Sequence, residues 1–128
     1  MSNVSNLLYR ELSALLPELS QLVPYERISL SEYGLPEINA VAFDNTPERI
    51  SFILSRHVAK GGRSIANPCF EIALNPELRT ANVVTYKDEH YFHEARPSSG
   101  EAGTMAQVQA NRRLFHWLSS LKRNGYQR

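Results

Sequence analysis

Cysteine is nearly missing from this chain: Cys69 is the single example in 128 residues. One thiol cannot close a disulfide within the chain, and zinc or iron–sulfur sites built from several thiolates need two or more. Long apolar runs are also lacking, since no stretch approaches the ~20 apolar residues that cross a bilayer. The opening residues have neither the basic start nor the unbroken apolar segment of a secretory signal. We therefore expect a cytoplasmic protein with no membrane partner.

Acidic residues are scarce near the C-terminus. The whole chain has a net charge of +1, with 42% hydrophobic and 21% charged residues, which is typical of a single globular domain over 1–128. Residues 1–97 contain 9 lysines and arginines against 12 acids, whereas residues 98–128 contain 5 against 1. The near-neutral total therefore hides a basic C-terminal segment.

The spacing of apolar residues predicts a helix followed by strands. Leucines recur every three or four positions between Val4 and Leu19, which indicates an amphipathic helix capped by Ser5 or Asn3. Pro17 either bends this helix or starts a second short turn. Alternating and β-branched patterns follow at Glu37–Phe43, Arg49–His57, Cys69–Asn75, Thr80–Tyr86 and His90–Ala95, with a further short strand conceivable at Arg27–Leu30. Connections this short favour antiparallel pairing, because parallel strands need crossovers of about a dozen residues.

A closing helix is predicted after the flexible stretch PSSGEAG. Thr104 is a suitable cap, and apolar residues mark one face as far as about Arg123. Asn111 lies on that apolar face, so we expect its amide to tie the helix to a loop or strand carbonyl. The predicted fold is α+β, with an N-terminal helix, an antiparallel meander of four or five strands, and a C-terminal helix packed on one sheet face.

The stretch HYFHE contains two histidines three residues apart, which raises the question of a metal site. In a strand, successive side chains point to opposite faces, so His90 and His93 cannot grip one ion. His90 and Glu94 share a face but stand ~13 Å apart, against bonds of ~2 Å to zinc. We predict no metal site and no cofactor, with His90 and His93 as the only weak metal candidates.

Two basic surfaces are candidates for binding. The loop AKGGRS places Lys60 and Arg63 around paired glycines, although it lacks the spacing of a phosphate-binding P-loop. The closing helix carries cations opposite its apolar face, at Arg112, Arg113, His116 and Arg123. The loop is also compatible with a simple hairpin whose glycines supply positive φ, and the helix cations with an ordinary solvated face.

Catalytic patterns receive little support. There is no G-x-S-x-G stretch, and Cys69 follows a proline at a strand start, where no helix N-terminus would lower its pKa. Asp88 and Glu89 sit together at an apparent turn without an identifiable opposing carboxylate. We therefore expect no catalytic residues and no enzymatic activity.

Two segments carry a family resemblance: residues 49–86, beginning RISFILSRHVAKGG, and residues 111–125, NRRLFHWLSSLKRNG. They resemble a family of small bacterial, plasmid and phage-borne proteins catalogued only as a domain of unknown function. The matching positions are Leu54, Ser55, Gly62, Pro68, Glu71, Ile72, Thr80, Ala81, Thr85, Tyr86, Asn111, Leu114, Trp117 and Leu118.

The departures from the family pattern are mostly basic. Arg56 replaces the family's strand histidine, Arg113 replaces a helix phenylalanine, and the family's acidic loop here contains Arg63, Asn67 and Cys69. The resemblance supports the fold and implies no reaction. The family's frequent place on mobile elements implies a modulator of host machinery, for example an inhibitor of a host defence complex.

Together these patterns favour a non-enzymatic binding module that applies its basic helix face, aided by Lys60 and Arg63, to an acidic protein surface. A nucleic-acid-binding module would use the same cations. A small metal- or cysteine-dependent enzyme would need His90, His93 or Cys69 to converge with another group through the fold. The oligomeric state stays open, as does any pairing at the free sheet face or edge.

Overall fold

The computed structural model describes residues 4–17, 21, 23–32, 34–89, 91–94 and 105–126. Its elements in chain order are α1 (Val4–Leu15), β1 (Arg27–Leu30), β2 (Ile38–Asn45), β3 (Ile50–Lys60), β4 (Arg63–Asn75), β5 (Thr80–Lys87), β6 (Phe92–Glu94) and α2 (Met105–Arg123). The strands form one antiparallel sheet in the order β1-β2-β3-β4-β5-β6. The predicted α+β meander between two helices is confirmed.

The sheet has six strands, where the sequence predicted four or five. The additional strand is β1, whose residues pair with β2 from Arg27 opposite Val41 to Leu30 opposite Ile38. Its pattern is only four residues long and contains a single alternation, with Ile28 and Leu30 buried. This short segment forms a strand because all four of its residues can pair with the edge of β2.

The connection between β3 and β4 is a tight hairpin and not the ten-residue loop that its glycines and proline suggest. Gly61 and Gly62 have φ angles of 60° and 78°, as a two-residue type I′ turn requires at both central positions. The ladder contains an irregularity, since Ser55 faces Cys69 whereas His57 faces Ala66. Because a proline has no amide hydrogen to donate, such a bulge accommodates Pro68 inside a strand.

The turn glycines allow a local prediction. Gly61→Val should lower the free energy of unfolding by about 1–2 kcal/mol, because a β-branched residue is strained at positive φ. Gly61→Asn should be nearly neutral, since asparagine tolerates this conformation and Asn-Gly is favoured in type I′ turns. A Cβ at this position would contact nothing within 4 Å, so a packing change cannot explain a difference. Equal urea midpoints for the two variants would contradict the assigned turn.

Both helices cover the same face of the sheet, as predicted. The buried residues of α1 include Leu8 and Leu12, and those of α2 include Leu114, Leu118 and Leu121. They join one hydrophobic cluster with alternate residues of the strands, among them Phe52, Leu54, Phe70 and Ile72. In the described part of the chain, no helix combines the length and apolarity needed to cross a membrane.

Two side-chain amides of α2, those of Gln107 and Asn111, bond to the backbone of β5 at its edge. We call these two residues the amide clamp. β6 pairs with β5 only from Thr85 to Lys87, so β6 does not reach Val83. There the Asn111 Oδ1 accepts the Val83 N–H at 2.8 Å, and the Gln107 Nε2 donates to the Val83 carbonyl at 3.4 Å. The clamp therefore replaces the neighbouring strand at this residue.

Asn111 thus ties α2 to the sheet as expected, although its backbone partner is an N–H and not a carbonyl. Its amide nitrogen also donates to the Asn82 Oδ1 at 3.0 Å. The proposed caps Asn3 and Thr104 lie outside the described residues, while Ser5, the alternative cap of the first helix, lies inside α1.

Candidate functional site

The four residues predicted as the basic face of α2 divide into two groups. Arg112, His116 and Arg123 are exposed and lie opposite the buried leucines at helical spacing. We call these three residues the outer stripe. Arg113 lies about 100° around the helix from Arg112, and its guanidinium is placed over the Tyr86 ring, 4.7 Å from the ring centroid. The sequence grouped all four residues, but the structure assigns Arg113 to a different surface.

That surface is a cleft of about 500 Å³ beside α2. Its lining comes from β3, β4, β5, the turn after β5, and one flank of α2. The aromatic lining residues are Phe70, Tyr86, Tyr91 and Trp117. The charged lining residues are Arg56, Arg113, Asp88 and Glu89. The cleft therefore combines an apolar body with a few charged groups, which is the usual composition of a ligand pocket.

The floor of the cleft is a set of packed rings. Phe70 is 1% exposed, and its centroid lies 4.9 Å from that of Tyr86 and 5.4 Å from that of Trp117. Phe70 and Trp117 are stacked, with an interplanar angle of 23°. The Trp117 Nε1 is buried and has no hydrogen-bond acceptor among the residues that the structure describes. This stack fixes the flank of α2 that faces the cleft.

Tyr86 links the floor to the charged rim. Its hydroxyl donates to the Asp88 carboxylate at 2.7 Å. Burial and this hydrogen bond raise the pKa of Tyr86, and Arg113 opposes the change. The Tyr86 ring is thus held from both sides, by Arg113 on its face and by Asp88 at its hydroxyl.

Arg56 approaches the cleft from β3. Its Nε donates to the Asn67 carbonyl at 3.0 Å, next to the cis peptide bond between Asn67 and Pro68. Across the described ranges, neither Arg56 nor Arg113 has a carboxylate within ion-pair distance, and the recorded ion pair joins Lys60 to Glu89. Two positioned guanidinium groups therefore line the cleft without an acidic partner among the residues that the structure describes.

The basic loop is divided in a similar way. Lys60 pairs with Glu89, which links the hairpin end to the turn after β5, while Arg63 is exposed at the start of β4. Because the Lys60 side chain is 57% exposed, solvent screens this pair and it contributes little to stability. Lys60 therefore belongs to the rim of the cleft, and Arg63 belongs to the open hairpin end.

The three described histidines lie on different surfaces of the molecule. The His93 ring stacks on Tyr91 at 5.8 Å, and its Nδ1 lies 3.1 Å from the Tyr91 hydroxyl. His57 lies on the other sheet face, with its Nε2 3.2 Å from the Ser55 Oγ. His90 falls outside the described residues, and among those described no three His, Cys, Asp or Glu side chains form a group that could hold a metal ion.

Cys69 lies on the uncovered sheet face, paired with Ser55 on β3 and Lys87 on β5. Burial raises the pKa of the Cys69 thiol above its ordinary value, Lys87 lowers it in part, and Glu71 raises it. A nucleophilic cysteine needs the opposite change, because the thiolate is the reactive form.

This environment predicts slow alkylation of Cys69. At neutral pH, iodoacetamide should label the folded protein at least about tenfold more slowly than the urea-unfolded chain. Glu71→Gln should accelerate labelling, and Lys87→Gln should slow it. Mass spectrometry at timed intervals measures the rates, with Cys69→Ser as the unlabelled control. A folded protein that reacts as fast as the unfolded one would restore the cysteine-enzyme alternative.

Several cleft residues were not recognised from the sequence as parts of one site. Arg56 was marked only as a departure from a family pattern, Arg113 was grouped with the basic residues of the outer helix face, and Trp117 was noted as a position that matches the family pattern. Their convergence with Phe70 and Tyr86 depends on the sheet register and on the placement of α2. The one sequence signal for this site was that arginines, Arg56 and Arg113, stand at two positions where the chain departs from the family pattern.

Three comparisons were made with known proteins. A scan against protein-family models, a search of curated proteins and a search of solved structures found no match. The functional argument therefore rests on the geometry of the outer stripe and the cleft.

Proposed function

We propose that this protein is a non-enzymatic binding module that applies the outer stripe of α2 to an acidic surface on a protein partner. The observation that carries the proposal is the charge of α2, which contains four lysines and arginines and no acid over Met105–Arg123. The three stripe residues are exposed, so the charges of Arg112 and Arg123 and the ring N–H of His116 are available to a partner. Exposed complementary charge accelerates encounter and selects among partners.

Part of this charge has a structural role. Lys122 and Arg123 lie in the last turn, where cations stabilise a helix by about 0.3–1 kcal/mol through its dipole. Arg112 and His116 lie far from that turn, and the dipole gives them no such function. They are the residues on which the binding proposal chiefly depends.

An acidic protein surface is favoured over nucleic acid by the charge of the remainder of the chain. Residues 1–97 have a net charge of −3, which would repel a long polyanion that extended beyond α2. A compact acidic patch on a partner protein, by contrast, would need to contact only the outer stripe. The family resemblance adds, by analogy, a modulator role such as inhibition of a host defence complex.

The test is affinity capture of the tagged protein from its host lysate, with and without nuclease, followed by mass spectrometry. The stripe variant is Arg112→Glu, which leaves the last turn of α2 unchanged. The control is Arg10→Glu, which makes the same charge change at an exposed residue of α1. We expect one abundant protein that survives nuclease, is retained by the control, and falls at least about tenfold with the stripe variant.

Two outcomes would overturn the proposal. Equal capture by the stripe variant and the control would remove the stripe from the interface. Recovery only of proteins that disappear on nuclease treatment, with binding that falls steeply between about 50 and 200 mM salt, would establish the nucleic-acid alternative.

A further inference from the structure

We propose that the cleft beside α2 is a binding pocket for a monoanionic carboxylate attached to an apolar or aromatic body. This site is separate from the outer stripe and does not rest on the function proposed above. Its volume of about 500 Å³ lies within the range of roughly 300–1,000 Å³ that is usual for small-ligand pockets. A phenyl or branched aliphatic group with a short carboxylate arm fits a space of this size.

The first argument is the state of the two guanidinium groups. Arg56 is anchored through its Nε to the Asn67 carbonyl, and Arg113 is anchored over the Tyr86 ring. Each side chain is therefore already ordered, which reduces the entropy lost when a ligand binds. Within the described part of the chain neither has a carboxylate partner. A carboxylate is the anion that a planar guanidinium binds with two parallel hydrogen bonds.

The second argument is the charge balance of the rim. Asp88 and Glu89 line the same cleft as Arg56 and Arg113, so two anions stand against two cations. Lys60, paired with Glu89, adds one positive charge, and the balance of these five described residues becomes +1. A monoanion matches this balance, whereas a phosphate with nearly two charges would also be repelled by Asp88 and Glu89.

The third argument is the arrangement of the rings. Phe70 and Trp117 stack on each other, and a face of Tyr86 is covered by Arg113. No stacked gap between these three rings is open to a flat base. The apolar body of the ligand must instead lie against ring edges and the remaining faces. This geometry suits a phenyl or aliphatic group and argues against a nucleotide.

The chain contains its own reporter for this site. Trp117 is the only tryptophan, so intrinsic fluorescence and the single indole N–H resonance both report on the wall of the cleft. The probe is 3-phenylpropionate, and its control is 3-phenylpropionamide, which has the same shape without the charge. We expect saturable binding of the acid with a Kd on the order of 1 mM, which is typical for a fragment of this size, and at least about tenfold weaker binding of the amide.

Matched variants assign the effect to the guanidinium groups. Arg113→Gln and Arg56→Gln should each weaken binding of 3-phenylpropionate by about tenfold or more, because each removes a charge-assisted hydrogen bond. Arg112→Gln, one residue away on the outer face, should leave the Kd unchanged. Unfolding curves for all three variants separate loss of binding from loss of the fold.

A second pair of probes identifies the source of the carboxylate. An acetylated tripeptide ending in phenylalanine is compared with its C-terminal amide. Binding of the free-acid peptide about tenfold or more tighter than 3-phenylpropionate supports a protein terminus as ligand, whereas equal affinities support a free small acid.

Three results would overturn the pocket. The first is equal affinity for 3-phenylpropionate and its amide. The second is tighter binding of phenyl phosphate, and the third is the lack of a saturable Trp117 response to any of these probes. None of these results bears on capture by the outer stripe, so the two proposals fail independently.

Discussion

Replacement of Phe70 by alanine is expected to lower the free energy of unfolding by about 3–5 kcal/mol, the range typical for a fully buried phenylalanine. Phe70 is 1% exposed and contacts the rings of both Tyr86 and Trp117. The substitution removes the ring and leaves a void, because α2 and the sheet cannot close around the smaller side chain without losing other contacts.

Urea denaturation monitored by circular dichroism measures this effect. Trp117 fluorescence of the folded variant should also shift to longer wavelength, since its stacking partner is lost. Phe43→Ala is the matched control, because Phe43 is 37% exposed and its loss should cost well under half as much. A cost below about 1.5 kcal/mol for Phe70→Ala would show that the cleft floor is not part of the core.

The second large effect is expected at the amide clamp. Asn111→Leu keeps a side chain of similar size but leaves the buried Val83 N–H without an acceptor, which costs about 1–3 kcal/mol. Gln107→Met should cost less, because the bond from Gln107 to the Val83 carbonyl is 3.4 Å, against 2.8 Å for the Asn111 bond.

Hydrogen exchange distinguishes this mechanism from general destabilisation. The Val83 amide should exchange faster in Asn111→Leu by a larger factor than the amides in the centre of β3. Gln109→Leu is the control on the same helix, since Gln109 is exposed and should change stability by less than about 0.5 kcal/mol. Uniform acceleration at all amides would contradict a specific role for the clamp.

Periodicity predicted the elements whose signal is long and local. The alternation of Phe70, Ile72 and Leu74 revealed β4, and the spacing of Leu114, Leu118 and Leu121 revealed α2, because each pattern follows directly from strand or helix geometry. The hairpin between β3 and β4 was predicted, but its loop was taken to be too long, because glycine and proline are usual loop residues. A type I′ turn and a bulge place the same residues inside a continuous ladder.

The periodicity of the sequence could not predict the cleft, for a different reason. Arg56, Tyr86 and Trp117 are 30 or more residues apart in sequence and meet only after strand order, register and helix placement are settled. Arg112 and Arg113 are neighbours in the chain and both are exposed, yet Arg112 lies on the outer face and Arg113 borders the cleft. The rotation of about 100° per residue about the helix axis places the two side chains on different surfaces, and their charge alone does not reveal this difference.

The amide clamp has a consequence for self-association. A β-strand whose N–H and C=O groups are unpaired is a template on which another chain can add a strand. Gln107 and Asn111 occupy both groups of Val83 from the side. If α2 detaches, that length of β5 becomes an open edge flanked by buried apolar residues such as Ala81 and Val83. The docked α2 thus protects this edge of β5 from pairing with another chain. If α2 undocks, we expect oligomers with intermolecular β-structure to form before the sheet itself unfolds.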